Sequence, residues 1–217
     1  MKKLTTQNKQ SLTSNLIGYA RIFSCVAFLF ATASANAKDN SNLLQEYSSD
    51  LAQIETYLNG IKNLSAKFTQ ESSEGTLVSG KFLLSRPGKM RIEYSTQPKI
   101  VITVNGAVLS YYDVELDEVS RISTNTTPAS FLTRQNISFS AKDVELTGVK
   151  KSSNQIKVSV MKKNRKEAGE FSLIFSTNPL RFIKMEVKND LDQTVVVTLS
   201  DVDFTSVISD HMFVLKK

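Results

Sequence analysis

Few side chains in this chain of 217 residues could do chemistry. His211 is the single histidine and Cys25 the single cysteine, so a zinc site is not expected. A serine triad would have to use His211, and no G-x-S-x-G elbow is present. Histidine-free pairs such as serine–lysine stay open on spacing alone. Neither a P-loop nor a dinucleotide-binding glycine fingerprint occurs. Asp113, Glu115, Asp117 and Glu118 form an acidic cluster. Paired carboxylates can hydrolyse glycosides, but these surround an expected hairpin turn, where solvated charge is the rule. The basic run 162–166 lies between two expected strands and reads as a hydrated hairpin tip. It could also dock a partner or anionic lipid headgroups. Nucleic acid is not expected, because no aromatic residues interleave with the charge. The residues therefore predict no enzyme, no metal and no cofactor.

The elements around these residues are mostly strands. Residues 40–62 carry Leu43, Leu44, Tyr47, Leu51, Ile54, Leu58 and Ile61 at spacings of three and four, which predicts an amphipathic helix. Asn40, Ser41 or Asn42 could cap it, and Gly60 lies near its end. Its apolar stripe must cover something, either an ordinary core or a cavity. From Leu64 the period becomes two. Leu64, Ala66 and Phe68 alternate with polar residues, as do Val78, Gly80, Phe82 and Leu84, then Met90, Ile92 and Tyr94. Ile100, Ile102 and Val104 follow, ahead of Asn105-Gly106, a hairpin signal. Further strands are expected at 108–112 and 119–123. Pro128 then opens a short helix over 130–135 bearing Phe131 and Leu132. Strands resume at 141–148, 155–161, 170–175, 182–187 and 194–199, before a last stretch with Phe204 and 213–215. About eleven antiparallel strands cannot stay flat and must form a sandwich or curl toward a barrel.

The first 37 residues do not fit that domain. Lys2, Lys3, Lys9 and Arg21 come without an acid; residues 22–33 are apolar apart from Ser24 and Thr32; Ala35-Asn36-Ala37 ends the segment. This is the pattern of a secretory signal peptide cleaved after Ala37. About 12 apolar residues fall short of the roughly 20 that span a bilayer. Removing the peptide lowers the net charge from +6 to +2 and takes Cys25 with it. The remaining residues, 38–217, are read as one domain, stabilised by its core without a disulfide.

One part of the chain is more specific. Leu64-Ser-Ala-Lys-Phe-Thr-Gln70 is followed by Gly80-Lys-Phe-Leu-Leu-Ser-Arg-Pro-Gly-Lys-Met-Arg-Ile-Glu-Tyr94, then by Asn105-Gly106, Tyr111-Tyr112-Asp113 and Thr127-Pro128. In this order and spacing, residues 43–136 resemble the periplasmic outer-membrane lipoprotein carriers, the LolA family. The resemblance implies an incomplete antiparallel barrel of about eleven strands covered by an α-helical lid. It implies a monomeric periplasmic carrier that shields lipoprotein acyl chains between an inner-membrane lipoprotein-releasing export complex and an outer-membrane receptor. Related folds also serve as periplasmic lipid-sensing or regulatory domains, the alternative reading. The family's arginine before proline, which bonds to lid backbone and holds the cavity closed, corresponds to Arg86. Phe68, Phe82, Leu84, Met90, Ile92, Tyr94, Ile100 and Ile102 are then expected to line the cavity, and Leu44, Tyr47, Leu51, Ile54, Phe131 and Leu132 to form the lid. Arg86 continues the parity of Phe82 and Leu84, so it faces inward if the strand stays regular. The chain has no tryptophan, and Ser110 and Ile92 stand where some members carry one.

Overall fold

A computed structural model describes residues 40–215; the expected signal peptide and its cleavage point lie outside them. Two helices come first, α1 (Asn40–Glu46) and α2 (Ser48–Gly60). The single helix expected over 40–62 is interrupted at Tyr47, which has φ −107° and ψ 20°. Ser48, Ser49 and Asp50 follow directly, residue types whose side chains compete for backbone hydrogen bonds and favour helix starts over interiors. Hydrogen bonds from Tyr47 N to Leu43 O and from Leu51 N to Tyr47 O carry the chain across the break. Leu43, Leu51, Ile54 and Leu58 therefore still share one buried stripe.

Eleven strands follow: β1 (Asn63–Ser72), β2 (Leu77–Ser85), β3 (Lys89–Tyr94), β4 (Ile100–Asn105), β5 (Val108–Asp113), β6 (Glu118–Ser123), β7 (Val144–Lys151), β8 (Gln155–Lys162), β9 (Glu170–Thr177), β10 (Leu180–Lys188) and β11 (Thr194–Asp203). They form one sheet in the order β6-β5-β4-β3-β2-β1-β11-β10-β9-β8-β7. Every described pairing is antiparallel, and β6 and β7 are edges, so the barrel is not closed. Two meanders, β1–β6 and β7–β11, are thus joined along β1 and β11. Between the edge strands runs a connection containing α3 (Ala129–Thr133), shorter than the expected 130–135.

Period-two alternation puts the apolar side chains on the inner face. Leu64, Ala66 and Phe68 are buried there, as are Val78, Phe82 and Leu84. Across the seam the same face carries Leu199, Met185, Leu173 and Val158. Gly80 is needed by contact, because a Cβ there would sit 2.7 Å from the Phe68 ring and 2.1 Å from the Glu93 carbonyl oxygen. Gly106, at φ +62°, makes the hairpin turn between β4 and β5.

The lid helices are docked where the ladder is irregular. The β7–β8 register shifts between Leu146 and Gly148, and Leu146 N donates to Asn40 Oδ1 of α1 at 3.2 Å. The β9–β10 register shifts next to Phe182, whose N–H donates to the Tyr57 hydroxyl of α2 at 3.1 Å. Bulges interrupt ladder bonding, and lid side chains take up amides beside them.

In the last stretch, Asp210–Phe213 make a 3-10 turn that packs on the outer face of β3 and β4. Lys89 Nζ pairs with Asp210 Oδ1 at 2.7 Å, and Arg91 Nη1 donates to Met212 O at 3.2 Å. Phe213 is 1% exposed, and the outward-facing Val101 and Thr103 of β4 are buried too.

Candidate functional site

The inner face is built in cross-strand rows. Leu64, Leu84, Met90 and Val104 stand opposite one another along β1–β4, and all four are buried. In the next row Ala66 and Phe82 are buried, but Ile92, Ile102 and Tyr111 are only partly so. Six of the eight expected cavity residues, Phe68, Phe82, Leu84, Met90, Ile92 and Tyr94, join or pack against one apolar cluster. The six expected lid residues, Leu44, Tyr47, Leu51, Ile54, Phe131 and Leu132, meet them there. Ile100 and Ile102 stay outside that cluster, half-buried. The trough is therefore sealed toward β1 and β2 and leaves an apolar shelf toward β4 and β5.

Phe68 meets Tyr94 edge-on at 5.4 Å, and Tyr94 Oη donates to Gln70 Oε1 at 2.7 Å. Burial pushes the Tyr94 phenol up to about 12. The folded chain favours the neutral phenol, so this contribution is complete below the ordinary value of 10.0 and is lost as pH rises through about 12. It is worth on the order of 2 kcal/mol. Urea midpoints measured from pH 9.5 to 12 should fall less steeply in Tyr94→Phe than in the parent; parallel slopes would contradict this.

At the sealed end sits Arg86. Strand β2 stops at Ser85, yet the guanidinium still reaches the lid. Arg86 Nη1 donates to Leu58 O of α2. Its Nε donates to Arg134 O and its Nη2 to Gln135 O, each at 3.1 Å, and Nη2 also meets Asn59 Oδ1 at 3.0 Å. Burial pulls its affinity for the proton below the ordinary arginine value, but an arginine remains charged at working pH. One side chain thus gathers the end of α2 and the segment after α3, and both present helix-terminal acceptors that need donors. Gly88 N adds a bond to Thr133 O at 2.7 Å.

Two polar residues of α2, not expected from sequence, stitch the lid to itself. Asn59 Nδ2 donates to Ile137 O at 2.9 Å and its Oδ1 accepts from Ile137 N at 2.8 Å. Glu55 Oε1 accepts from Phe139 N at 2.6 Å and from Ser138 Oγ at 3.1 Å. The signal was available only as polar residues at helical spacing beside the stripe, which usually means solvent. Asn59→Ala should cost about 1–3 kcal/mol in urea unfolding, since it strands both backbone groups of Ile137; a loss under 0.5 kcal/mol would mean that water replaces the bonds freely.

Arg134 lies over the Phe131 ring at 5.1 Å and pairs with Asp143 at 3.0 Å. Burial raises the Asp143 carboxyl, but the Arg134 hydrogen bond and charge outweigh it and hold the group below the usual range. The acidic cluster is a turn: Asp113 Oδ1 accepts from the N–H groups of Glu115 and Leu116. In the basic run, Lys162 Nζ donates to Asn125 O, while Lys163 and Arg165 are exposed. His211 Nδ1 meets Ser209 Oγ at 2.7 Å, in an exposed turn. Among the described residues no group of three or more histidine, cysteine or acidic side chains could hold a metal.

An unclosed antiparallel barrel, with an apolar inner face under helices that one arginine ties down, defines a class of lidded half-barrel folds. The family model for the outer membrane lipoprotein carrier protein LolA matches residues 59–216, and the chain belongs to that family. An outer-membrane lipoprotein carrier protein of Coxiella burnetii is 26% identical over 198 residues, covering 81% of this chain and 87% of that protein. An uncharacterized protein of Rickettsia prowazekii is 27% identical over 196 residues, covering 90% and 87%. Among solved structures, a LolA superfamily protein from Nitrosomonas europaea aligns with TM-score 0.47 and 11% identity over 76% of this chain and 97% of that one. The family is one of periplasmic lipoprotein carriers, and carriage needs no catalysis.

Proposed function

We propose that residues 1–37 direct export and are removed after Ala37, and that residues 38–217 then act as a monomeric, non-enzymatic carrier in the periplasm. The carrier takes acylated lipoproteins from an inner-membrane lipoprotein-releasing complex, hides their acyl chains against the inner face, and yields them to an outer-membrane receptor. The observation that carries this reading is the set of Arg86 bonds to the lid over an apolar trough.

The energetics explain why such a carrier needs a lid. An acyl chain of about 15 methylenes gains roughly 12 kcal/mol on leaving water, so three approach ~36. That exceeds the ~21 kcal/mol ceiling of reversible non-covalent binding. Opening must therefore offset much of the gain. Breaking the Arg86 bonds and uncovering Leu51, Ile54, Phe131 and Leu132 supplies such a cost.

Photo-crosslinking side chains at Leu44, Leu51, Phe131 and Leu132 test the proposal. Each should label a purified triacylated lipoprotein and leave its unacylated form unlabelled. Labelling confined to outward positions such as Lys81 would sink it. A stable complex with a regulatory protein, formed without acylated cargo, would favour a lipid-sensing domain instead.

A further inference from the structure

A second concavity lies on the face opposite the lid. It is an open groove of about 550 Å³. Its floor is a cross-strand row. Lys150 stands opposite Lys157, Lys157 opposite Ile174, Ile174 opposite Lys184, Lys184 opposite Thr198, and Thr198 opposite Thr69. The row crosses six strands and is therefore about 24 Å long at ~4.8 Å per strand.

Its charges are unevenly satisfied. Lys157 pairs with Glu186. At the rim Lys151 pairs with Asp50 at 2.8 Å. Lys150 and Lys184 have no ion pair among the described residues, and Glu71 is the other carboxylate lining the groove. Like charges directly opposite in an antiparallel pair are destabilising, and Lys150 faces Lys157 in that way. A local conflict of this kind marks a surface shaped for something other than stability.

We infer that this groove binds an extended acidic peptide segment of a partner protein, with carboxylates four residues apart on Lys150 and Lys184. The spacing argues for that chemistry. The two lysines are three strands apart, about 14 Å, which is the rise of four residues of extended chain. One phosphate cannot span it. The Thr198 and Thr69 hydroxyls continue the row and offer donors and acceptors to the peptide backbone. The inference goes beyond acyl carriage, since the groove is on the opposite face of the sheet and would function whether or not the trough holds lipid.

The test is fluorescence polarisation with the purified full-length chain and a labelled heptapeptide, Ser-Asp-Ser-Gly-Ser-Asp-Ser. Binding should weaken at least tenfold when both aspartates become asparagine, and again in a Lys150→Ser/Lys184→Ser double variant. Lys163→Ser/Arg165→Ser, in the β8–β9 hairpin, should change it less than twofold. Charge reversal by Lys150→Glu/Lys184→Glu should transfer preference to the peptide with lysines in place of aspartates, which a misfolded variant could not do. The inference is overturned by failure to bind at 1 mM peptide, by equal loss in the hairpin variant, or by reversal without a change of preference. It is equally overturned if phosphatidylglycerol vesicles, and not the peptide, depend on Lys150 and Lys184.

Discussion

Arg86→Leu should raise the open population of the lid by roughly 150-fold. Each bond from a charged donor is worth about 1.5–3 kcal/mol. Arg86 makes four, but it is only half-buried, and water can solvate the freed carbonyls once the lid lifts. Crediting about two of the four gives ~3 kcal/mol on the opening equilibrium, or about 150-fold. Amide exchange should report it at Ile137 and Phe139, whose N–H groups bond to α2. Core amides such as Leu173 should be unaffected. In a reconstituted handover the variant should take up acylated cargo and retain it, because closure no longer competes with the acyl chains. Arg86→Lys keeps the charge but loses the planar fork of donors, so its behaviour should lie between. Exchange and handover both equal to the parent would show that Arg86 is an ornament of the closed state.

Phe213→Ala should cost about 3–5 kcal/mol of global stability, the range for deleting a fully buried phenylalanine. Phe213 is 1% exposed on the outer face, outside the cluster that lines the trough. Losing it uncovers the outer side of β4 and weakens the turn that brings Asp210 to Lys89. Chemical denaturation should show the full loss, while lid exchange at Ile137 should keep its parent rate below the unfolding transition. Combined with Arg86→Leu the stability effects should add within about 0.5 kcal/mol, as expected of sites without shared partners. A strongly non-additive result would mean that the outer turn and the lid communicate through β3.

The contrast between these residues shows what was legible in the sequence. Leu64, Ala66, Phe68 and Val78, Gly80, Phe82, Leu84 announce their face because β1 and β2 are covered on one side only. Strand β4 is harder to read. Val101 and Thr103 are buried by the turn at 210–213, so both faces carry buried residues and period two no longer separates inside from outside. Ile100 and Ile102, on the other face of the same strand, are half-buried and stay outside the apolar cluster. Arg86 was reached through strand parity and a family resemblance, although the strand that gave the parity ends one residue earlier. Asn59 and Glu55 were out of reach, since their partners lie about 80 residues away and no local pattern encodes such a bond.

The β1–β11 seam has a kinetic consequence. Every other pairing in the sheet joins strands consecutive in the chain, and such hairpins close in microseconds. The seam instead brings Gln70 to Val197, roughly 130 residues apart, at an entropic cost about 3 kcal/mol greater than closing a four-residue turn. Each meander can fold by neighbour-to-neighbour zippering, and their union comes last. Until then β1 offers a naked row of amides and carbonyls. Because β1 precedes β11 by more than a hundred residues, that row must be kept from pairing with other chains until β11 arrives.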